Sequence, residues 1–498
     1  MDAEKNLPPL KVRRKTTILK AENFRVITRP YIPGPEHRVK NVINRALGLS
    51  EEEVHSTLSN VLENFSDRHR YFRESLEKNF LKVQYCIPEG AEISDERRLL
   101  IGAYFTMEYA IEAAALFNPS IVLHPDQKEV ANGTVRFVMS FRATGEGHIS
   151  SIEFRSGTID KNDDIYFDPT SKYVETPEIH PYPVYNTHLF RFKLNEMGAS
   201  NFVTDRLLNE LGEEFTLEQL QEKINKIKES PKSPERDRSE AIDMALWVAR
   251  SNYTMKFRPD HRMSERVIYP VSENESRGIE DARFVRFTNE DGAVTYYATY
   301  TAYNGFVILP QLMETKDFLT FNITTLNGKA VQNKGMALFP RKIKGKYVML
   351  SRQDGENNYI MFSDQLHFWQ EAKMVRTPTL PFEFVQIGNC GSPIETPHGW
   401  VTLVHGVGPM RRYSIGVELL DLEDPSKIIS RINEPIITPS NQEREGYVPN
   451  VVYTCGAMIH QNKLIIPYAT ADQRCGIATI NVSDLLERLG VKNPYCPI

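Results

Sequence analysis

Two adjacent acids, Glu280 and Asp281, stand in the segment RGIEDARFVR (277–286), where Gly278 permits a turn and an apolar run follows. Neighbouring side chains on an extended segment point to opposite faces. We therefore expect different roles for the two acids, one pointing into a cleft as an acid and the other pairing with a nearby arginine. Taken alone, these ten residues also fit a solvated loop that enters a strand, because most charged loop residues are exposed.

Further polar residues stand at the ends of β-type runs and can act together with Asp281. They are Arg142, Lys334, Arg352, His405, Arg411, Arg412, Tyr413 and Asp472. Taken singly, Arg142 or Lys334 fits a solvated side chain, and His405 fits a buried core histidine. Together they combine an acid with cations that recognise anions, arginine through a planar fork and lysine as a point charge. The chain contains no GxxxxGK[ST], GxGxxG, HExxH or GxSxG pattern, which argues against nucleotide, dinucleotide, zinc-protease and serine-hydrolase chemistry.

The elements that position these residues are β-type runs, each introduced by a turn. The runs are TVRFVMSFR, AVTYYATYTA, KYVMLSR, WVTLVHG and KLIIPYATAD. The last four turns follow one another at intervals of 53, 54 and 63 residues. A recurring β unit of about 40–50 residues or more is typical of propeller blades. We therefore predict a mainly β fold, a five-bladed β-propeller, with a β-sandwich carrying helices as the alternative.

Helical patterns flank and interrupt the β runs. Several prolines predict an extended arm up to about residue 45, and Ser50 with Glu53 then forms a capping-box pattern that begins a helix. Two further helices are predicted at about 67–81 and 94–116, the latter apolar almost all round. We predict an N-terminal arm with helices (1–92), and a propeller domain (93–498) with a helical insertion at about 201–255. The helices are expected to pack on the propeller or on a second subunit, in a homo-oligomer.

Composition limits the classes of function. Net charge is −5 and the pI is near 6.2, so there is no electrostatic case for nucleic-acid binding. The N-terminus lacks a signal pattern, and no apolar stretch reaches about 18 residues, so no membrane span is expected. The cysteines are scattered and odd in number, which fits free thiols in a reducing cytoplasm rather than a disulfide frame or a metal site. They are Cys86, Cys390, Cys455, Cys475 and Cys496.

Beyond these patterns, the chain resembles glycoside hydrolase family 130, five-bladed propellers that include inverting β-mannoside phosphorylases and some β-mannosidases. The resemblance covers about residue 100 to the end, in the family's order, but not the arm, the first two helices or the insertion. The matching segments are GIEDAR (278–283), NKGMALFPRKIKGKYVMLSR (333–352), FSDQLHFW (362–369), GSPIETPHGWVTLVHG (391–406), YSIGVELLDLEDPSKIISR (413–431), GYVPNVVYTCG (446–456) and YATADQ (468–473).

The resemblance implies a role for each matching residue. Asp281 corresponds to the proton donor, followed here by Ala282 where the family usually has proline. The residues at positions that bind the mannosyl unit in the −1 subsite are Asn118, Arg142 and Asp472. Those at or near positions associated with phosphate are Lys334, His405 and Tyr413. In TAYNG (301–305) an expected phosphate-binding arginine is missing, and Asn304 is expected to contribute instead.

Inverting cleavage of a glycoside needs an acid at the leaving oxygen and a nucleophile on the opposite ring face. Water requires a second carboxylate as base, whereas phosphate is already anionic and needs cations to position it. Lys334 and His405, interpreted as those cations, favour phosphorolysis of β-mannosides to α-mannose 1-phosphate, without a metal or organic cofactor. The alternatives are a β-mannosidase that uses Glu395, Glu445 or another acid as base, and a non-catalytic sugar-binding propeller. The linkage, β-1,2 or β-1,4, stays open.

Overall fold

The structure, a computed structural model, describes residues 10–229, 235–305, 308–492 and 494. Cys496 and the first nine residues, for which predictions were made, lie outside the described residues. The chain is mainly β with several helices. Among the described residues, no helix combines the length and apolar character needed to span a membrane.

The N-terminal part contains short strands and a group of helices. Its elements are β1 (Arg13–Arg14), β2 (Leu19–Lys20), β3 (Val26–Pro30), α1 (Glu36–Leu47), α2 (Glu51–Phe65), α3 (Phe72–Leu81) and α4 (Asp95–Tyr104). The predicted capping box is confirmed: Glu53 N donates to Ser50 Oγ (3.2 Å), and Ser50 N donates to Glu53 Oε2 (2.7 Å). The arm is not extended up to residue 45, because α1 begins at Glu36, and the second predicted helix begins only at Phe72.

The elements that follow begin with β4 (Thr106–Ala110), β5 (Ala115–Leu123), β6 (Val135–Thr144), β7 (Ser150–Ile159) and β8 (Ile165–Phe167). The predicted helix at 94–116 is therefore wrong beyond Tyr104. Its second half pairs as β4 with β3, and as β5 with β6. An apolar run without a polar face does not distinguish a buried helix from a buried strand, and tertiary pairing decided here.

The middle of the chain contains the inserted helices. Its elements are β9 (Glu178–Pro181), β10 (Tyr185–Asn186), α5 (Thr187–Glu196), α6 (Phe202–Asn209), β11 (Glu214–Phe215), α7 (Leu217–Glu229), α8 (Glu235–Arg250), β12 (Tyr253–Lys256) and β13 (Val267–Ile268). β12 pairs with β9, so the chain leaves a sheet edge after Pro181 and returns to it at Tyr253. The helices thus begin earlier than predicted, at Thr187, and 253–255 belong to a strand.

The remaining elements are almost all strands. They are β14 (Gly278–Thr288), β15 (Val294–Tyr303), β16 (Ile308–Thr315), β17 (Thr320–Thr325), β18 (Ala337–Leu338), β19 (Tyr347–Ser351), β20 (Asn358–Ser363), β21 (Ala372–Arg376), β22 (Gln386–Asn389), β23 (Ile394–Thr396), β24 (Gly399–Gly408), β25 (Arg412–Leu420), β26 (Ile428–Arg431), β27 (Val452–Tyr453), β28 (Met458–His460), β29 (Lys463–Thr470), β30 (Arg474–Asn481) and α9 (Val482–Arg488). The five β-type runs of the sequence are confirmed as β6, β15, β19, β24 and β29.

Antiparallel pairing groups most strands into five consecutive units: β5–β8, β14–β17, β18–β21, β22–β26 and β27–β30. The first two units meet through a single parallel pair, Gly278 with Ser150. The N-terminal strands β1 and β2 pair with β30, the last strand of the chain. Segments near both ends of the described part of the chain are therefore joined in one sheet.

Buried apolar clusters lie between neighbouring units, because each sheet presents an apolar face to the next. Phe154 packs with Phe284 between the first and second units. The corresponding pairs from the second unit onward are Phe287 and Met349, Phe339 and Trp400, and Val417 and Ile466. A further cluster, with Ile477 and Phe137, joins the fifth unit to the first.

Candidate active site

A bulge in β14 places the two adjacent acids. Glu280 pairs with Thr301 and Arg283 pairs with Thr299, so Asp281 and Ala282 together face a single residue of β15. Asp281 has a φ of 55°, in the left-handed region that non-glycine residues seldom adopt.

The bulge overturns the expectation that Glu280 and Asp281 point to opposite faces. Arg142 Nη2 donates to Glu280 Oε1 at 2.9 Å, and Arg142 Nη1 lies 3.6 Å from Asp281 Oδ1. Both carboxylates therefore contact the same guanidinium. Regular alternation along the strand would have separated them, and the extra residue removes that alternation.

Asn118 comes to Asp281 from a second bulge, in β5. The register of β5 shifts between Phe117 and Ser120, and Asn118 has a φ of 48°. Its Nδ2 donates to Asp281 Oδ1 at 2.6 Å. Asn118 Oδ1 is buried without a hydrogen-bond partner, so an acceptor remains available beside Asp281.

Arg142, on β6, is fixed on two further sides. Its Nε donates to Ser150 Oγ (2.9 Å), and its guanidinium lies over the ring of Phe117 at 5.1 Å. These contacts leave the fork of Arg142 facing the two acids. The sequence prediction that one acid pairs with an arginine is confirmed for Glu280 and extends to Asp281.

Asp472 reaches the site from the turn between β29 and β30, where Ala471 and Asp472 both have positive φ, 50° and 51°. Burial, together with the nearby charge of Asp281, raises the pKa of Asp472 to about 6. Burial would also raise the pKa of Asp281, but Arg142, Lys334 and the hydrogen bond from Asn118 outweigh it and hold that pKa below its usual value. The pKa values of Asp281 and Asp472 are thus shifted in opposite directions. Such a difference between two carboxyl groups is typical of sites in which they have separate acid–base roles.

His405, on β24, is buried, and its Nε2 lies 3.0 Å from Arg352 Nη1. Burial, reinforced by Arg352, Arg283 and Lys334, lowers the pKa of His405 well below its usual value. The imidazole is therefore neutral at pH 7 and accepts a hydrogen bond from Arg352. The expectation that His405 supplies a positive charge is wrong, because burial among cations disfavours a further charge.

Positive charge is supplied by Lys334 and Arg352 instead. Lys334 Nζ lies 3.6 Å from Glu280 Oε2, and its side chain is 41% exposed, so it can turn to a ligand at little cost. Arg352 Nε is buried without a hydrogen-bond partner. Tyr413 stacks nearly parallel to the ring of His405 at 5.8 Å.

These side chains converge on one cavity of about 150 Å³. Its lining residues are Asn118, Arg142, Asp281, Lys334, Arg352, His405, Arg411, Tyr413, Val451, Tyr453 and Asp472. The predicted site residues are brought together here, with the exception of Asn304 and Arg412. Asn304 lines a different, larger cavity, and Arg412 Nη2 donates to Pro439 O (3.4 Å) away from the site.

Two cavity residues, Tyr453 and Val451, were not singled out from the sequence, although both stand in the segment GYVPNVVYTCG. Arg283 is buried behind Tyr453 and donates to its hydroxyl and to Asn389 O (2.7 Å). In the sequence, nothing marks Tyr453 and Arg283 as a pair except that both stand in segments that match the family.

The two acids proposed as a hydrolytic base lie elsewhere. Glu395 forms an exposed fork with Arg341, with contacts of 2.6–3.1 Å. Glu445 is exposed in a turn. Neither lines the cavity, whose carboxylates are those of Asp281 and Asp472. The arrangement suits protonation of a leaving oxygen next to a bound anion.

Comparisons with known proteins agree with this chemistry. Residues 241–490, half of the chain, match the family model Glyco_hydro_130, described as beta-1,4-mannooligosaccharide phosphorylase. A 1,2-beta-oligomannan phosphorylase of Thermoanaerobacter sp. (strain X514) is 36% identical over 45% of this chain and 75% of its own length. A beta-1,2-mannobiose phosphorylase of Listeria innocua is 31% identical over 45% of this chain and 64% of its own length. A solved beta-1,2-mannobiose phosphorylase structure from Listeria innocua has a TM-score of 0.44 at 23% identity, covering 77% of this chain and 94% of that one.

Proposed function

Because this chain belongs to glycoside hydrolase family 130, we propose that it is an inverting β-mannoside phosphorylase, releasing α-mannose 1-phosphate from β-mannosides. The observation that carries the proposal is one cavity in which Asp281 lies beside Asn118 and Arg142, with Lys334 and Arg352 close by. One protonatable group and a set of cations are what phosphorolysis requires.

We assign the acid role to Asp281. In the free protein Arg142 and Lys334 keep it ionised, but a bound phosphate neutralises the charge of Lys334 and a bound sugar excludes water, and both effects raise the pKa of a carboxyl. The proton of Asp281 passes to the leaving oxygen as the C1–O bond breaks and phosphate oxygen bonds to C1 from the opposite face. The phosphate enters as its monoanion, so the mannose 1-phosphate that forms can return one of its protons to Asp281, which restores the acid.

For the phosphate we propose Lys334, Arg352 and Tyr413 as ligands, with neutral His405 orienting Arg352. For the mannosyl unit we propose Asn118, Arg142 and Asp472. Asn304 has no place in this assignment, because it lines a different cavity. The proton donor and the phosphate ligands then come from different strand units around one cavity.

We infer that the five strand units form a five-bladed propeller. The apolar clusters join each unit to the next and the fifth to the first, which is the connectivity of a ring. β1 and β2 complete the last unit from the N-terminal side. We propose 93–498 as the catalytic domain and 1–92 as an N-terminal extension.

We also propose a cytoplasmic homo-oligomer. The described cysteines, Cys86, Cys390, Cys455 and Cys475, are unpaired thiols, which suits a reducing compartment. Light scattering over a dilution series checks the oligomer, and a monomer at every concentration contradicts it.

The central experiment incubates the protein with β-1,2- and β-1,4-mannobiose, with and without inorganic phosphate, and follows the products by NMR. Disaccharide consumption that requires phosphate and yields α-mannose 1-phosphate is expected. Phosphate-independent release of free mannose would instead identify a hydrolase, with Asp472 as the cavity carboxylate left to act as base.

The site of phosphate is tested through Lys334. Losing one hydrogen bond to a charged group costs about 1.5–3 kcal/mol, so Lys334→Ala should raise the KM for phosphate about ten- to a hundredfold, and far more than the KM for the mannoside. Lys329→Ala, which removes an exposed lysine that does not line the cavity, is the matched control. Equal effects of the two substitutions would remove Lys334 from the phosphate site.

A further inference from the structure

A groove of about 1,320 Å³ lies between the inserted helix α8 and the edge of the second strand unit. Its lining includes Asp243, Trp247 and Arg250 of α8, together with Glu273 and Asn304 from outside this helix. The matched family segment begins inside α8, at residue 241, so Arg236, Ser239 and Glu240 of the lining precede it.

Asn304, which lines the groove, lies close to the candidate active site in the strand pairing. Asn304 directly follows β15, whose Tyr303 pairs with Gly278 of β14, and Arg277 N donates to Tyr303 O at 2.9 Å. Asp281 is four residues along β14 from Arg277. At about 3.3 Å per residue, the near end of the groove lies about 13 Å from the proposed acid.

The groove walls are held by a buried polar network. Gln311 Nε2 donates to Ser251 O (2.7 Å) at the end of α8. The hydroxyls of Tyr253 and Tyr300 both donate to Glu275, at 2.9 and 2.8 Å. Glu275 lies two residues after Glu273, so these bonds fix the lining of the groove to β12, β15 and β16, and β15 is the direct neighbour of β14.

The two volumes differ in what they can hold. The active-site cavity, at about 150 Å³, is below the roughly 300 Å³ at which ordinary small-molecule sites begin, so it accommodates little more than the reacting unit. Further sugar units of an oligosaccharide must therefore lie outside the active-site cavity. The groove exceeds the roughly 1,000 Å³ upper end of that range, which suits a ligand of several units.

The lining suits a neutral polyhydroxylated chain. Trp247 presents an aromatic surface with a polar edge, and Asp243, Glu273 and Arg250 supply planar acceptors and donors for hydroxyl groups. The charges of the lining nearly balance, with Arg236 and Arg250 against Glu240, Asp243 and Glu273. An ionic ligand would call for an excess of one sign.

We propose that this groove binds the leaving-group side of a β-mannooligosaccharide and makes the protein prefer chains longer than the disaccharide. The inference rests on the proposed function, since the terminal mannosyl unit is taken to occupy the cavity at Asp281. The groove then contributes to binding of the oligosaccharide but not to cleavage of the glycosidic bond.

The test compares Asp243→Ala/Arg250→Ala with the control Glu222→Ala/Lys226→Ala, which removes the same charges from exposed positions on α7 that do not line the groove. Calorimetry without phosphate measures binding of β-mannotetraose and β-mannobiose of each linkage, and kinetics with phosphate measures kcat/KM for both. We expect the groove variant to lose about tenfold in tetraose affinity and kcat/KM, with mannobiose unchanged and the control like wild type. Trp247→Phe, which keeps an aromatic ring, should lose less.

The inference fails if tetraose and mannobiose respond alike, or if wild type binds the tetraose no better than mannobiose. It also fails if the groove variant changes only the mass in light scattering, because the groove is then a contact between copies of the chain. Absence of any phosphate-dependent turnover in wild type overturns the proposed function instead. The two failures are therefore distinguishable.

Discussion

At the residue scale, the site depends on two acids whose ionisation differs. Asp281 lies next to Arg142 and Asn118, which favour its charged form, whereas Asp472 is buried near the charge of Asp281 and holds its proton to a higher pH. In the proposed mechanism, a phosphate bound at Lys334 reduces the effect of that cation on Asp281 and raises the pKa of its carboxyl.

Asp281→Asn should lower kcat by about 10²–10⁴-fold, the usual contribution of general acid catalysis, with the fold retained. The neighbouring Glu280→Gln is the matched control and should lower kcat less, since Glu280 contacts Arg142 and Lys334 without being assigned the proton. Steady-state rates and circular dichroism measure both. A folded Asp281→Asn with near-normal turnover would contradict the assignment.

The raised pKa of Asp472 predicts that the stability of the protein depends on pH. Its pKa is raised from 3.8 to about 6, so between these values the folded state holds a proton that the unfolded state has lost. Stability from this group therefore falls as pH rises through that window, and above it the buried charge is unfavourable by up to about 3 kcal/mol.

Asp472→Asn removes the charge and should stabilise the fold relative to wild type at pH 7.5 more than at pH 4. Urea unfolding at the two pH values measures the difference, in which effects common to both proteins cancel. An equal stability difference at both pH values would show that Asp472 keeps an ordinary pKa.

At the element scale, two bulges position the site, and a side chain joins them. Ser120 follows the bulge in β5, and its Oγ accepts from Phe284 N (3.1 Å) in β14, three residues after Asp281. Extra residues in a bulge leave backbone groups without strand partners, and a polar side chain must satisfy them. The geometry of Asn118 and Asp281 is thus fixed by contact between the strands.

Ser120→Ala should destabilise the protein by about 1–3 kcal/mol, because Phe284 N–H is left buried and unpaired. Ser140→Ala is the control: Ser140 lies opposite Ser120 on β6 and is equally buried, but it donates only a long 3.5 Å bond to Ser120 O. Denaturant unfolding compares the two variants. Equal losses would show that the bond to Phe284 adds nothing.

At the scale of the whole molecule, the N-terminal arm is fixed to the first strand unit by a buried charge cluster. Arg25 Nε contacts Glu112 Oε1 and its Nη2 contacts Glu153 Oε2, both at 2.6 Å, and all three side chains are fully buried. Arg155 adds contacts to the same two acids, at 2.8 and 3.2 Å. The arm is therefore part of the fold.

Arg25→Met should cost about 3–5 kcal/mol, since it leaves buried carboxylates with one cation instead of two. Arg191→Met, which breaks an exposed pair with Asp205, should cost under about 1 kcal/mol. Equilibrium unfolding in urea measures both. If the costs are similar, the buried cluster does not anchor the arm.

The sequence by itself determined the strand runs, the capping box at Ser50 and nearly all of the residues that line the cavity. The signals of the strands and the capping box are local, because turn dipeptides and capping chemistry act within a few residues. The matched segments added the family.

Tertiary structure alone decided three matters. Residues 106–110 and 115–116 form strands because partners from β3 and β6 were available, although the apolar run up to residue 116 also fits a helix. Glu280 and Asp281 share Arg142 because a bulge removes the alternation. His405 is neutral because burial next to Arg352 makes a second positive charge too costly, and a side chain's charge depends on neighbours that are distant in sequence.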